Sequence, residues 1–141
     1  MPAVNHSAKL AATLTAWLGT LAGGRVYCGR APQGSPLPRI VWHEIVTTRD
    51  HAHDSGTTAD AGVEDTVVQF DFMGRTPTEC RALADALASL ADGGTYSGPA
   101  VIQGGFRETG GAVEALDYAT GDGMAEAYCV STDYRFFWRD A

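Results

Sequence analysis

Lysine is nearly absent: Lys9 is the only one in 141 residues, and ten basic residues stand against seventeen acidic ones for a formal net charge of −7. The basic residues that exist are scattered. Arg25, Arg30, Arg39 and Arg49 are spread along the first third, and no run of them forms an arm. Gripping a phosphate backbone needs clustered Lys and Arg, so a nucleic-acid-binding role is excluded. A protein of this charge can still line a passage through which DNA moves. Long apolar runs are also lacking. No stretch approaches the 18 or so apolar residues of a membrane span, and the N-terminus lacks the apolar core of a secretory signal, so neither is expected. Cysteine is sparse: Cys28, Cys80 and Cys129 have no Cys-x-x-Cys spacing. With Cys80 and Cys129 in apolar surroundings, they read as reduced, buried thiols of a cytosolic setting.

The signatures of catalysis are missing too. There is no Gly-rich phosphate loop with its lysine, and Gly104-Gly105-Phe106 lacks the strand–turn–helix context of a nucleotide fingerprint. A cysteine nucleophile needs an exposed thiol and a paired base. Cys80 falls on an apolar helix stripe, and Cys129 has no marked partner. The one dense group of possible metal ligands is Asp50, His51, His53 and Asp54. Two imidazoles and a carboxylate suit a divalent transition metal, but without a fixed motif spacing the group reads as a solvated loop tip. His43, inside a strand beside Trp42, reads as a packed or interface histidine rather than a base. We therefore expect no enzyme, no metal and no cofactor.

What is present is a folding pattern. The length suits one domain, residues 1–141, and the apolar fraction of 45% with 19% charged residues is that of a folded chain. From Ser7 to Leu21, the spacing of Leu10, Leu14, Trp17, Leu18 and Leu21 predicts a helix that ends at Gly23-Gly24. Arg25–Cys28 is a short extended piece before a proline-rich connection. Arg39–Thr48 predicts a strand with Ile40, Trp42 and Val46 on one face and Val41, His43, Ile45 and Thr47 on the other. Residues 49–62 predict a long polar loop. Val63–Met73 is the next strand, with Val68, Phe70 and Phe72 facing the core.

Thr76, Pro77 and Glu79 form a capping box with a proline start. The helix they begin carries an apolar stripe of Cys80, Leu83, Ala84, Leu87 and Leu90. Gly98–Phe106 predicts a strand in which Gly104-Gly105 marks a bulge or a close backbone approach. Glu114–Tyr118 either continues it or forms a separate short piece. Ala125–Arg139 is the strongest strand, with Tyr128, Val130, Thr132, Tyr134, Phe136 and Trp138 on one face and Cys129, Ser131, Asp133, Arg135 and Phe137 on the other. Its length exceeds that of an ordinary globular strand. Acidic residues gather in what read as two loops, one around Asp50, Asp54 and Asp60 and one from Glu108 to Glu126 with no Lys or Arg in it.

The expected fold class is α+β: a two-layer fold, a mixed, largely antiparallel β-sheet with two helices packed on one face. The sheet's second face then holds more apolar surface than two helices hide, which fits a subunit interface.

The order of these pieces resembles one family, the tail terminator, or tail-completion, proteins of long-tailed bacteriophages and gene transfer agents. The resembling segments are Arg25-Val26-Tyr27-Cys28-Gly29-Arg30-Ala31-Pro32-Gln33-Gly34, Pro38 to Ile45, Val67 to Thr76 with the helix after it, and Tyr128 to Trp138. Gly104–Gly123 is the least similar stretch. The resemblance implies a homo-oligomer, a hexameric ring, that ends the tail tube and joins it to the neck or head-closure protein. DNA would pass through unread. The setting would be the virion tail, with assembly in the host cytoplasm and no membrane. It puts ring contacts at His43, Arg135 and Phe137, and tube or neck contacts at the loop residues Arg49 and Asp50. The competing readings are another tail or neck component, such as a tube subunit or a head-closure protein, and a small α+β enzyme or ligand-binding protein.

Overall fold

The computed structural model describes residues 6–50, 63–111, 113–120 and 123–140, with side chains placed over 8–48, 63–111, 113–115 and 127–140. Helix α1 (His6–Leu18) leads through a short 3-10 turn (Leu21–Gly24) into β1 (Val26–Cys28), β2 (Arg39–Asp50) and β3 (Val63–Gly74). Helix α2 (Pro77–Ala91) follows, then β4 (Tyr96–Ser97), β5 (Ala100–Gly110), β6 (Glu114–Thr120) and β7 (Gly123–Asp140). The seven strands form one sheet of order β1-β2-β3-β7-β5-β4, with β6 also on β7. All pairings are antiparallel except that of β1 with β2. This is the expected α+β, two-layer architecture.

One face of the sheet carries the core. Leu10, Leu14 and Leu18 of α1 and Cys80, Leu87 and Ala91 of α2 are fully buried against Ile40, Trp42, Val68, Phe70, Phe72, Ile102, Phe136 and Trp138. The aromatic rings meet both edge to face and stacked, Phe70 with Phe72 and Tyr134 with Phe136 being stacked pairs. Phe70 lies 5.6 Å from Tyr134 at 88° and 6.3 Å from Phe136 at 79°, the geometry that ring quadrupoles favour. The even-numbered residues of β7 from Val130 to Trp138 are all buried, as their alternation predicts.

Helix α2 starts where its box places it. Thr76 Oγ1 accepts from Glu79 N at 3.1 Å, and the Glu79 carboxylate reaches back to Arg75 N at 2.9 Å, one residue beyond the usual target. Its stripe is corrected at the far end. Leu90 is 40% exposed and Ala91 is fully buried, because three turns of 3.6 residues from Cys80 end at position 91. Helix α1 is anchored through Thr13, which is buried. Its hydroxyl donates to Lys9 O and accepts from Ala100 N, both at 2.8 Å, tying the helix to the start of β5.

Three sequence expectations change. Strand β2 runs on through Arg49 and Asp50, which face Glu64 and Val63 of β3, so neither belongs to a loop. The register shifts between Glu44 and Val46, so Ile45 is a bulge and the faces exchange beyond it. Val46 therefore sits opposite Val67 on the outer face, and Thr47 turns inward, its hydroxyl 3.0 Å from that of Thr66. The second acidic loop is largely strand: Glu108 lies in β5, Glu114 and Asp117 in β6, and Glu126 in β7. His51, His53, Asp54 and Asp60 lie outside the described residues.

The glycine pair in β5 behaves as its residues imply. The register shifts between Ile102 and Gly104. A side chain at Gly105 would meet Ala91 O at 2.6 Å and the Phe136 ring at 2.8 Å, so the end of α2 sits directly on the β5 backbone.

Candidate functional site

The helices occupy one face, and none of the described elements covers the other. That outer face presents Val41, His43 and Val46 of β2; Asp65, Val67, Gln69 and Asp71 of β3; Cys129, Ser131, Asp133, Arg135 and Phe137 of β7; and Phe106 of β5. Each assignment follows from cross-strand partners sharing a face. Three of the four large apolar residues most open to solvent gather at this face and its bulge: Ile45 at 49%, Val46 at 51% and Phe106 at 50%.

The face divides into two halves. Toward the end of β7, Phe106 and Phe137 form an edge-to-face pair at 6.0 Å. Beside them Arg135 binds two carboxylates, Asp65 at 2.6 Å and Glu108. Those bonds raise its pKa, the hydrogen bond it donates to Glu108 most, so its charge is spent within the chain. Toward the other end the face is acidic. Asp71 accepts from Ser131 at 2.6 Å and from Gln69 at 3.1 Å, Asp133 lies opposite Gln69, and the exposed Glu114 lies opposite Cys129.

The residues singled out from sequence are thus partly brought together. His43, Arg135 and Phe137 share the outer face; His43 is half-buried opposite Gln69. The backbones of Arg49 and Asp50 lie at the far end of β2, beyond the apolar half; their side chains are outside the described set. Sequence reasoning missed Phe106, although its place after a Gly-Gly bulge signals a parity change. It also missed Val46, which only the register of β2 reveals.

The thiols are held in their neutral form. Burial, reinforced by the Asp71 charge, pushes Cys129 up to about 11. Cys80 is buried, donates to Tyr128 O at 3.0 Å, and is likewise raised by desolvation. Cys129 is half-buried rather than buried, and Cys28 is exposed, contrary to the sequence expectation for a fully buried Cys129. Among the described residues no group of three or more His, Cys, Asp or Glu is arranged to hold a metal ion. No helix among them is long and apolar enough to cross a membrane.

The described part of the chain is thus a two-layer fold whose sheet keeps one broad, mixed apolar and acidic face free of the described helices. The model of the family described as "Tail completion protein gp17" matches residues 8–127, and the chain belongs to that family: it is a structural protein of viral tail assembly. No curated protein matches the chain. Among solved structures, a chain from the virion of a native gene transfer agent particle is similar at 14% identity and a TM-score of 0.49, over 94% of this chain and 90% of that one. An identity and a TM-score this low carry no residue role across.

Proposed function

We propose that this chain forms a closed ring of six copies that ends the tail tube and joins it to the neck or head-closure protein. The observation that carries the reading is the outer sheet face. Ile45, Val46, Phe106 and Phe137 present more apolar surface than a solitary chain of a tail-completion family needs to expose. His43, Arg135 and Phe137 supply ring contacts from that face; Arg135 does so by orienting Asp65 and Glu108 rather than through a free charge. Arg49 and Asp50, at the end of β2, meet the tube or neck. The net charge of −7 keeps DNA from adhering as it passes. Assembly takes place in the host cytoplasm, and the product resides in the virion tail.

Solution mass measurement followed by imaging tests this. A single ring with a central hole that does not stack as concentration rises, and that halts growth of tube protein added to it, is the expected result. Long tubes formed by the pure chain would instead make it a tube subunit. A chain that stays solitary at high concentration, with tube protein present, would refute ring formation.

A further inference from the structure

The helix-bearing side of the molecule holds a cleft of about 220 Å³ between α2 and the ends of β5 and β7. Arg81, Asp85 and Arg107 line it, with Thr132 in its wall. Arg81 and Arg107 are both exposed, and neither guanidinium has a hydrogen-bond or ion-pair partner among the described residues. Arg30 and Arg75 also have no side-chain partner among the described residues, but only Arg81 and Arg107 line this cleft. Lys9 pairs with Asp140, Arg135 with Asp65 and Glu108, and Arg25 and Arg39 donate to main-chain carbonyls. The cleft lining thus holds two guanidiniums and one carboxylate, with Asp92 beside it accepting from the Arg107 main chain.

The matching negative surface is the acidic half of the outer face, where Asp71, Asp133 and Glu114 lie along neighbouring rungs. Gln69, Ser131, Cys129 and the half-buried His43 surround them, no lysine or arginine stands directly opposite them in the described strand register, and Arg135, two residues along β7 from Asp133, is already bound to Asp65 and Glu108. The two patches lie on opposite faces of one sheet. Arg107 stands opposite Tyr134, whose side chain is in the core, and Glu114 opposite Cys129, which faces outward.

We propose that the Arg81–Arg107 cleft of one copy receives the Asp133–Glu114 surface of the next. Two different patches on opposite faces cannot satisfy each other across a two-fold axis. The contact is head-to-tail, the kind that closes into a ring when its rotation allows. This rests on the ring reading above and assigns its charged contact.

Charge reversal tests it. Among the described residues Arg81 and Arg107 make no side-chain bonds, so R81E/R107E folds normally by circular dichroism. It elutes at the 14.9 kDa of one chain where the unaltered protein elutes as a ring. D133R/E114R does the same. Mixed in equal amounts, the two variants regain the ring, because each supplies the patch that complements the other, and salt weakens that ring. An R81E/R107E protein that keeps the original ring mass overturns this pairing and leaves the ring reading standing. Two variants that each fall apart yet fail to recombine also overturn it. An unaltered chain that never forms a ring removes both.

Discussion

Replacing Gly105 with Ala should cost the fold about 1–3 kcal/mol, the usual range for overpacking a well-filled site. The reason is local. The added carbon would stand 2.6 Å from Ala91 O and 2.8 Å from Phe136 Cε1, where ordinary contact begins at 3.4 Å. The oxygen cannot swing aside like a side-chain tip, because it belongs to the last turn of α2. That turn is fixed to β5 twice over: Gly93 N donates to Gly105 O at 2.5 Å, and Asp92 accepts from Arg107 N at 3.1 Å. Moving the helix end away strains both bonds, each worth roughly 0.5–1.5 kcal/mol net. Ala also restricts the unfolded chain and returns about 0.4–1 kcal/mol. The backbone at Gly105 does not have the positive φ that would add strain of its own.

Gly110, in the same strand, is the control: an added carbon there meets nothing within 4 Å. Denaturant unfolding followed by circular dichroism, at one chain concentration because assembly adds stability by mass action, should rank Gly110→Ala level with or slightly above the unaltered protein and Gly105→Ala below it. A loss of 1 kcal/mol lowers the melting point by about 2–4 °C at this chain length. Equal melting of Gly105→Ala and Gly110→Ala would refute the claim that the α2 end rests on the β5 backbone.

Thr13→Val keeps the shape of a buried side chain but leaves Ala100 N–H without its acceptor. It should lose about 1–3 kcal/mol while Thr13→Ser loses less, and equal losses would argue against the bridge. Thiol labelling should run in order of exposure, with Cys28 first, Cys129 next and Cys80 reacting only as the fold opens. Stability should also fall on the alkaline side. The folded-state pKa of Cys129, about 11, lies above the ordinary 9.0, so its contribution is whole below pH 9 and is lost as pH rises toward 11. Cys129→Ala should flatten that part of a stability–pH curve, and an unchanged curve would show that burial of this thiol is not what the pH series reports.

The parts of this fold that obey one period over a long stretch were legible in the residues. The alternation of β7 from Tyr128 to Trp138, the Val68-Phe70-Phe72 face and the Thr76-Pro77-Glu79 start of α2 each state their structure locally. What was not legible depends on partners. The extension of β2 to Asp50 is stabilised by pairing with Val63 and Glu64, while Arg49 and Asp50 are polar residues that carry no strand signal of their own. The acidic stretch around Glu114 becomes strand because β7 runs on past the end of β5 and offers an edge there. Arg135, chosen as a free contact, is neutralised by Asp65 and Glu108, residues 70 and 27 positions away in sequence. The Arg81–Arg107 cleft joins a helix to a strand end, and nothing in the spacing of those two residues announces it.

The bulge at Ile45 shows why the assembly surface could not be read one strand at a time. Without it, strict alternation from Ile40 and Trp42 would carry Val46 into the core and Thr47 out to the face. With it, Thr47 points inward and meets Thr66, which also accepts from Trp138 Nε1 at 2.9 Å, so the buried end of the sheet has a closed polar chain in place of an apolar side chain. Val46 is sent out to lie opposite Val67. A single inserted residue therefore satisfies the indole inside and extends the apolar surface outside. That branched side chain, half open to water, is what the proposed ring contact would cover.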